Sequence, residues 1–168
     1  MIAPDYFGFF DLPRNLAIDL KDLEKRFYSL SRKYHPDVHA RKSAQERAQA
    51  EESTALLNDA YRVLRDPIAR AGYLLKLEGF DIGEQTTKDV PPELLEEIFE
   101  LNMELEEGTA KTERFIEMRN EVDAEIKGKF DQWDTGRKRE SLDDLRGLLN
   151  RRKYISNLID KTNVPDRL

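Results

Sequence analysis

The chain has 168 residues, with 28 Lys and Arg against 34 Asp and Glu, two His, no Cys and a formal net charge of −6. Without cysteine it can form no disulfide, thiolate zinc site, cysteine nucleophile or cysteine-held cluster. Its 39% apolar content suffices for one core or two small ones, and no apolar run approaches the roughly eighteen residues of a membrane-crossing helix.

Residues 1–77 carry 13 Lys and Arg against 11 Asp and Glu, whereas residues 78–168 carry 15 against 23. An acidic second half argues against nucleic acid, because phosphate neutralisation needs cations spread over the contact surface. The opening residues, Met1 to Phe10, lack the basic region and long apolar stretch of a signal peptide. A soluble protein of a reducing compartment is expected.

Helical periodicity dominates, and no stretch alternates as a strand does, so the fold class is all-α. After a short segment at Tyr6–Leu12, Asp19 is an N-cap candidate for a helix whose apolar residues Leu20, Leu23, Phe27, Leu30 and Tyr34 are spaced by three and four. Lys21, Lys25 and Arg32 fall on one outer line of that helix and Arg26 and Lys33 on another. The outer face is therefore cationic. Pro36 ends the helix, since a proline lacks an N–H and biases the residue before it out of the α region. A loop at Pro36–Ser43 leads to a second long helix ending near Leu64, with Leu57, Ala60, Tyr61 and Leu64 inward. Asp66-Pro67 then reads as an N-cap followed by proline at the first helical position.

The tripeptide His35-Pro36-Asp37 stands at the tip of this hairpin. Three specified residues in a row arise by accident in roughly one chain of this length in a hundred, so the surrounding pattern carries the argument. His35, Asp37 and His39 resemble metal ligands in type, but Pro36 breaks the helix that would align them and no further His or Cys completes a set. Catalysis by His35 lacks a Ser, Thr or Lys nucleophile marked by a motif.

Tyr6, the basic helix, His35-Pro36-Asp37, the run Asn58–Leu64 and Arg65-Asp66-Pro67 together resemble a J domain, the module by which DnaJ-type co-chaperones act on DnaK-type chaperones. Ala69-Arg70-Ala71-Gly72-Tyr73-Leu74-Leu75 followed by Gly79-Phe80-Asp81 is similar to the HscB/Jac branch, the iron–sulfur cluster co-chaperones. The Gly/Phe-rich linker and cysteine-rich module of general DnaJ proteins are missing from the sequence. The expected organisation is a J domain over 1–79, a linker over 80–91 and a C-terminal three-helix bundle over 92–168.

Within the second half the pattern predicts helices at Pro92–Glu107, Thr112–Trp133 and Ser141–Lys161, the last with Ser141-x-x-Asp144 as a capping box. Phe115, Met118, Val122, Ile126, Phe130 and Trp133 form the middle helix's stripe, and Leu145, Leu148, Leu149, Ile155 and Ile159 that of the last. The first of the three has a surplus. Leu94, Ile98, Leu101 and Leu105 make a core line, Leu95, Phe99 and Met103 a second apolar line, and Glu93, Glu96, Glu97, Glu100 and Glu104 an acid row with no basic residue among them. The second line either packs inside the molecule or binds a protein.

The resemblance implies two partners. An HscA/DnaK-type ATP-dependent chaperone would be bound by His35, Pro36, Asp37, Lys21, Lys25, Arg26, Arg32 and Lys33, shifting it toward its ATP-hydrolysing state. An IscU-type iron–sulfur scaffold protein would be bound by Leu94, Leu95, Phe99, Glu100, Met103 and Tyr154, with Glu96 standing where the family often has Met and Met103 where it is commonly charged. A J-domain adaptor for a different client would share the first half and differ in the second, and a metal-dependent enzyme would use His35, Asp37 and His39. The expectations are a non-enzymatic monomer with no cofactor, no nucleic-acid or membrane partner, and a place in the bacterial cytoplasm or, for a processed eukaryotic form, the mitochondrial matrix.

Overall fold

The computed structural model describes residues 4–80 and 91–162, and every regular element among them is helical. The chain divides into two compact units, residues 1–77 and 78–168. Of the expected linker, only Phe80 and Pro91 fall within the described residues.

The first unit opens with α1 (Tyr6–Phe9), capped by Asp5, whose carboxylate accepts the Gly8 N–H at 2.9 Å and the Arg14 guanidinium at 2.6 Å. Asp19 caps α2 (Leu20–Tyr34) by accepting the Lys21 and Asp22 amides. A 3₁₀ turn follows at Pro36–His39. Ser43 and Glu46 then close a reciprocal capping box at the start of α3 (Ala44–Arg65). Phe27 stacks on Tyr61 with centroids 4.2 Å apart, while Thr54 reaches the Tyr34 carbonyl, so α2 and α3 run antiparallel. Asp66 caps α4 (Pro67–Leu77) through the Ile68 and Ala69 amides, with Pro67 at the first helical position.

Phe7, Phe10, Leu16, Leu23, Leu57, Ala60, Leu64, Ala71, Leu74 and Leu75 form this unit's core. Leu20, expected in the core stripe, is exposed instead, because it is the first residue of α2 and stands at the helix's open end. Tyr6 stacks on Tyr73 at 4.4 Å and donates its amide to the Tyr73 hydroxyl, fastening α1 to α4.

The second unit contains α5 (Pro92–Glu106), α6 (Thr112–Gly136) and α7 (Arg139–Thr162). Gly108, at φ +71°, supplies the left-handed backbone that ends α5. The ion pairs Lys129–Asp144 and Arg152–Asp123 fix α6 antiparallel to α7, and Arg151–Glu97 with Lys161–Asn102 fix α5 parallel to it. Leu101, Phe115, Val122, Ile126, Phe130, Trp133, Leu142, Leu145, Ile155, Leu158 and Ile159 fill the core. The expected capping box at Ser141 does not form. Arg137 takes the left-handed conformation at φ +51°, so the chain turns early and α7 begins at Arg139, leaving Ser141 buried in its first turn.

Burial works against ionisation of Asp5, but the Gly8 amide and the Arg14 guanidinium outweigh it and hold its carboxyl below the ordinary range. A carboxylate lowered in this way contributes stability above its unfolded value and loses it as the pH falls through its folded value. Asp5→Asn keeps a capping side chain and removes the charge. It should cost about 0.5–1 kcal/mol near pH 7, discounted for the half-exposed arginine, and the gap from the parent should narrow as the pH falls below about 4. Urea unfolding on both sides of that pH measures the change.

Candidate functional site

Two surfaces gather the side chains singled out by sequence. On the first unit, Lys21, Lys25, Arg32 and Lys33 project from α2 and are exposed. Arg26 is committed elsewhere. Its guanidinium pairs with Asp22 at 2.8 Å and donates to the Phe10 and Asp11 carbonyls at 3.0 and 3.1 Å, tying the end of α1 to α2. Lys33 lies 5.3 Å from the centre of the Tyr34 ring.

Beyond α2 the chain turns outward. His35 leaves the helix at φ −57°, ψ 134°, and the Asp37 amide donates to His35 Nδ1 at 3.2 Å, so the hydrogen of the neutral ring sits on Nε2. The Asp37 carboxylate lies 3.6 Å from the same Nδ1 and its side chain is 92% exposed. That leaves it open to a partner. Two apolar residues that the sequence reading passed over share this surface: Val38 at the turn and Tyr28 on α2, both more than half exposed. Tyr28 could have been found by spacing, since Lys21, Lys25, Tyr28 and Arg32 follow one another by four, three and four along one helix line. His39, the third candidate ligand, turns its Nε2 to the Lys33 carbonyl at 3.0 Å. No group of three or more metal-ligating side chains converges among the described residues.

On the second unit, Leu95, Phe99 and Met103 stand exposed in one row along α5, Phe99 to 65%. Leu101 is the buried residue of the core line, and Leu94 is half-buried, lining with Leu148 a cleft of about 850 Å³ among the three helices. Leu94 thus belongs to a different face from Leu95. The acid row is divided by use: Glu97 holds Arg151 through two contacts at 2.9 and 3.2 Å, and Glu104 holds Arg114 at 2.7 Å, whereas Glu93, Glu96 and Glu100 are exposed and form no ion pair among the described residues. The hydrogen bonds that Arg151 donates to Glu97 raise its guanidinium above the ordinary value against partial burial, with Glu125 and Glu121 adding to the effect. Tyr154 is half-buried on α7, three residues beyond Arg151.

A helical hairpin that presents His-Pro-Asp beside a basic helix marks a J-domain protein, and the comparisons agree. The DnaJ domain profile matches residues 5–73, and the profile described as the HSCB C-terminal oligomerisation domain matches residues 90–163. The human iron–sulfur cluster co-chaperone protein HscB is 32% identical over 160 residues, covering 95% of this chain and 68% of that protein. A co-chaperone protein HscB homolog from Vibrio cholerae is 41% identical over 107 residues, 63% of this chain and 62% of that one. Among solved structures, the crystal structure of human HscB superposes with a TM-score of 0.74 at 31% identity, covering 98% of this chain and 85% of that one. Chaperone HscB from Vibrio cholerae gives 0.65 at 30% identity over 94% of each. The chain belongs to the HscB/Jac family of iron–sulfur cluster co-chaperones.

The exposure difference within α5 predicts a split between stability and surface. Leu101→Ala should lower unfolding free energy by about 2–4 kcal/mol through cavity formation. Leu95→Ala with Phe99→Ala should each change it by less than about 0.5 kcal/mol. Denaturant unfolding of the full chain distinguishes them, and a large loss on Phe99→Ala would mean that its ring is covered.

Proposed function

We propose that the protein stimulates the ATPase of an HscA/DnaK-type chaperone and delivers an IscU-type iron–sulfur scaffold protein to it, acting through the partner's chemistry and catalysing nothing itself. The observation that carries this reading is the presence in one chain of an exposed His-Pro-Asp turn beside a cationic helix and, in the other unit, an exposed apolar row flanked by exposed glutamates.

Lys21, Lys25, Arg32 and Lys33 suit an acidic surface on the chaperone. Attraction between exposed charges speeds encounter more than it deepens affinity and is screened beyond about 10 Å at 0.1 M salt. His35, Pro36 and Asp37 then act at short range, favouring the chaperone state that hydrolyses ATP. On α5, Leu95, Phe99 and Met103 supply apolar area for the scaffold, with Glu100 beside them to select a basic rim. One molecule holding both proteins raises their effective concentration without further contacts between them. Its setting would be wherever clusters are assembled, the bacterial cytoplasm or the mitochondrial matrix.

His35→Gln should abolish stimulation of the chaperone ATPase and leave scaffold binding unchanged, as read by steady-state ATP turnover and by calorimetry. Leu95→Ala with Phe99→Ala should do the reverse, weakening scaffold binding by about tenfold or more while retaining basal stimulation. Normal stimulation by the His35 variant would overturn the chaperone half of the proposal, and undiminished scaffold binding by the α5 double variant the other half.

A further inference from the structure

The break at Pro36 leaves the last carbonyls of α2 without the amides that a continuing helix would bring to them. Pro36 has no N–H, and His35 has already left the helical conformation. Side chains from the turn itself and from α3 take over. His39, the last residue of the 3₁₀ turn, places Nε2 3.0 Å from the Lys33 carbonyl oxygen, and since a carbonyl only accepts, Nε2 carries the hydrogen. Thr54 on α3 sets its hydroxyl 3.1 Å from the Tyr34 carbonyl and 2.8 Å from the Ala50 carbonyl, so one hydrogen is shared between its own helix and the end of α2.

These bonds enclose the tripeptide. Val38 N–H donates to the His35 carbonyl at 3.0 Å and the Asp37 amide to His35 Nδ1, forming an inner closure. The His39 bond back to Lys33 forms an outer closure around residues 33–39. The Nδ1 of His39 is buried and meets no hydrogen-bond partner among the described residues, so that edge of the ring is packed while the other edge is held by the Nε2 bond.

We infer that His39 and Thr54 are positioning residues, which fix the C-terminal end of α2 and with it the direction in which His35 and Asp37 are presented. The inference deepens the proposed chaperone activation, on which its functional arm rests, while its structural arm stands alone. Neither side chain needs to touch the chaperone. Of the cations that bring the partner in, Lys21 and Lys25 lie in the first half of α2, away from the end that His39 and Thr54 hold, and Arg32 and Lys33 in its last turn keep their charge, so the expected signature is a lower maximal stimulation with a much smaller shift in half-saturation.

The experiment uses the full chain with His39→Ala, His39→Gln, Thr54→Val and Thr54→Ser. Backbone ¹⁵N relaxation reads the turn directly: in His39→Ala the order parameters at Asp37 and Val38 should fall from about 0.85 toward 0.6 or below. Maximal ATPase stimulation should fall by about fivefold, as for the loss of one net hydrogen bond, with half-saturation shifted by less than about twofold. His39→Gln, whose amide N–H can occupy the place of Nε2, should recover most of it, and Thr54→Ser should exceed Thr54→Val. Unchanged order parameters at Asp37 and Val38 in His39→Ala overturn the inference whatever the ATPase does, and so does a loss that His39→Gln fails to recover. If the parent protein stimulates no DnaK-type chaperone, the functional proposal fails and the relaxation data alone decide the positioning role.

Discussion

A helix cannot run through Pro36, and the rest of the first unit is arranged around that fact. The ring removes an amide and drives His35 to ψ 134°, so α2 stops where its apolar stripe has reached Tyr34. The stripes of α2 and α3 can then be buried only by reversing the chain, which sets Phe27 against Tyr61 and the Tyr34 carbonyl beside Thr54. A break one residue earlier or later would rotate the exit by about 100° and separate those pairs. His35 and Asp37 protrude because two helices had to be folded back on each other, and the same reversal leaves Lys21, Lys25 and Arg32 on the outer side.

Much of the irregular chain in that unit is held by arginines. Arg70 is buried and donates to the Leu16 carbonyl at 2.6 Å and to the Leu64 carbonyl at 2.5 Å, joining the segment before α2 to the end of α3. A buried guanidinium without such acceptors would be strongly unfavourable, so its presence in the core implies that the carbonyls around it are fixed. Arg26 does the same at the surface for Phe10 and Asp11. The cationic face available to a partner is consequently narrower than a count of Lys and Arg implies: four cationic side chains of α2 remain exposed, and Arg26 is spent on the fold.

What could be read from the sequence was whatever depends on near neighbours along the chain. Asp19 as a cap, Pro36 as a stop and Asp66-Pro67 as a start are local chemistry, and the Leu95, Phe99 and Met103 row follows from a period of 3.6 residues. The Ser43-x-x-Glu46 box, which the sequence reading passed over, is equally local and is formed. Failures arose where a distant residue decides. The acid row of α5 has no i,i+4 partner, yet Arg151 and Arg114 of other helices neutralise Glu97 and Glu104. The start of α7 depends on Arg137 entering left-handed space, a conformation that no residue type at that position announces, and it displaces the cap expected at Ser141. For Leu94 periodicity is the better guide: it puts Leu94 on the core line and Leu95 on the second, and the helical step of about 100° sets one in the cleft and the other on the surface, whereas the family resemblance groups the two.

The exposed row on α5 owes nothing to a loosely held helix. Leu101 is buried beneath it, Glu97 and Asn102 are fastened to α7 by Arg151 and Lys161, and Glu104 is fastened to α6 by Arg114. A helix anchored at three points along its length and still showing Phe99 to 65% keeps its apolar side chains outward in one register. A partner of the proposed kind would meet little cost of backbone ordering there, so more of the free energy of burying Leu95, Phe99 and Met103 would be available as affinity. The tripeptide follows the same logic by different means. There the anchor is a set of hydrogen bonds that satisfy the carbonyls left open by a proline, and the groups it presents are polar. Both surfaces are formed by the packing that stabilises their own unit, which is why the exposed side chains of Leu95, Phe99 and Asp37 can be substituted while each core stays in place.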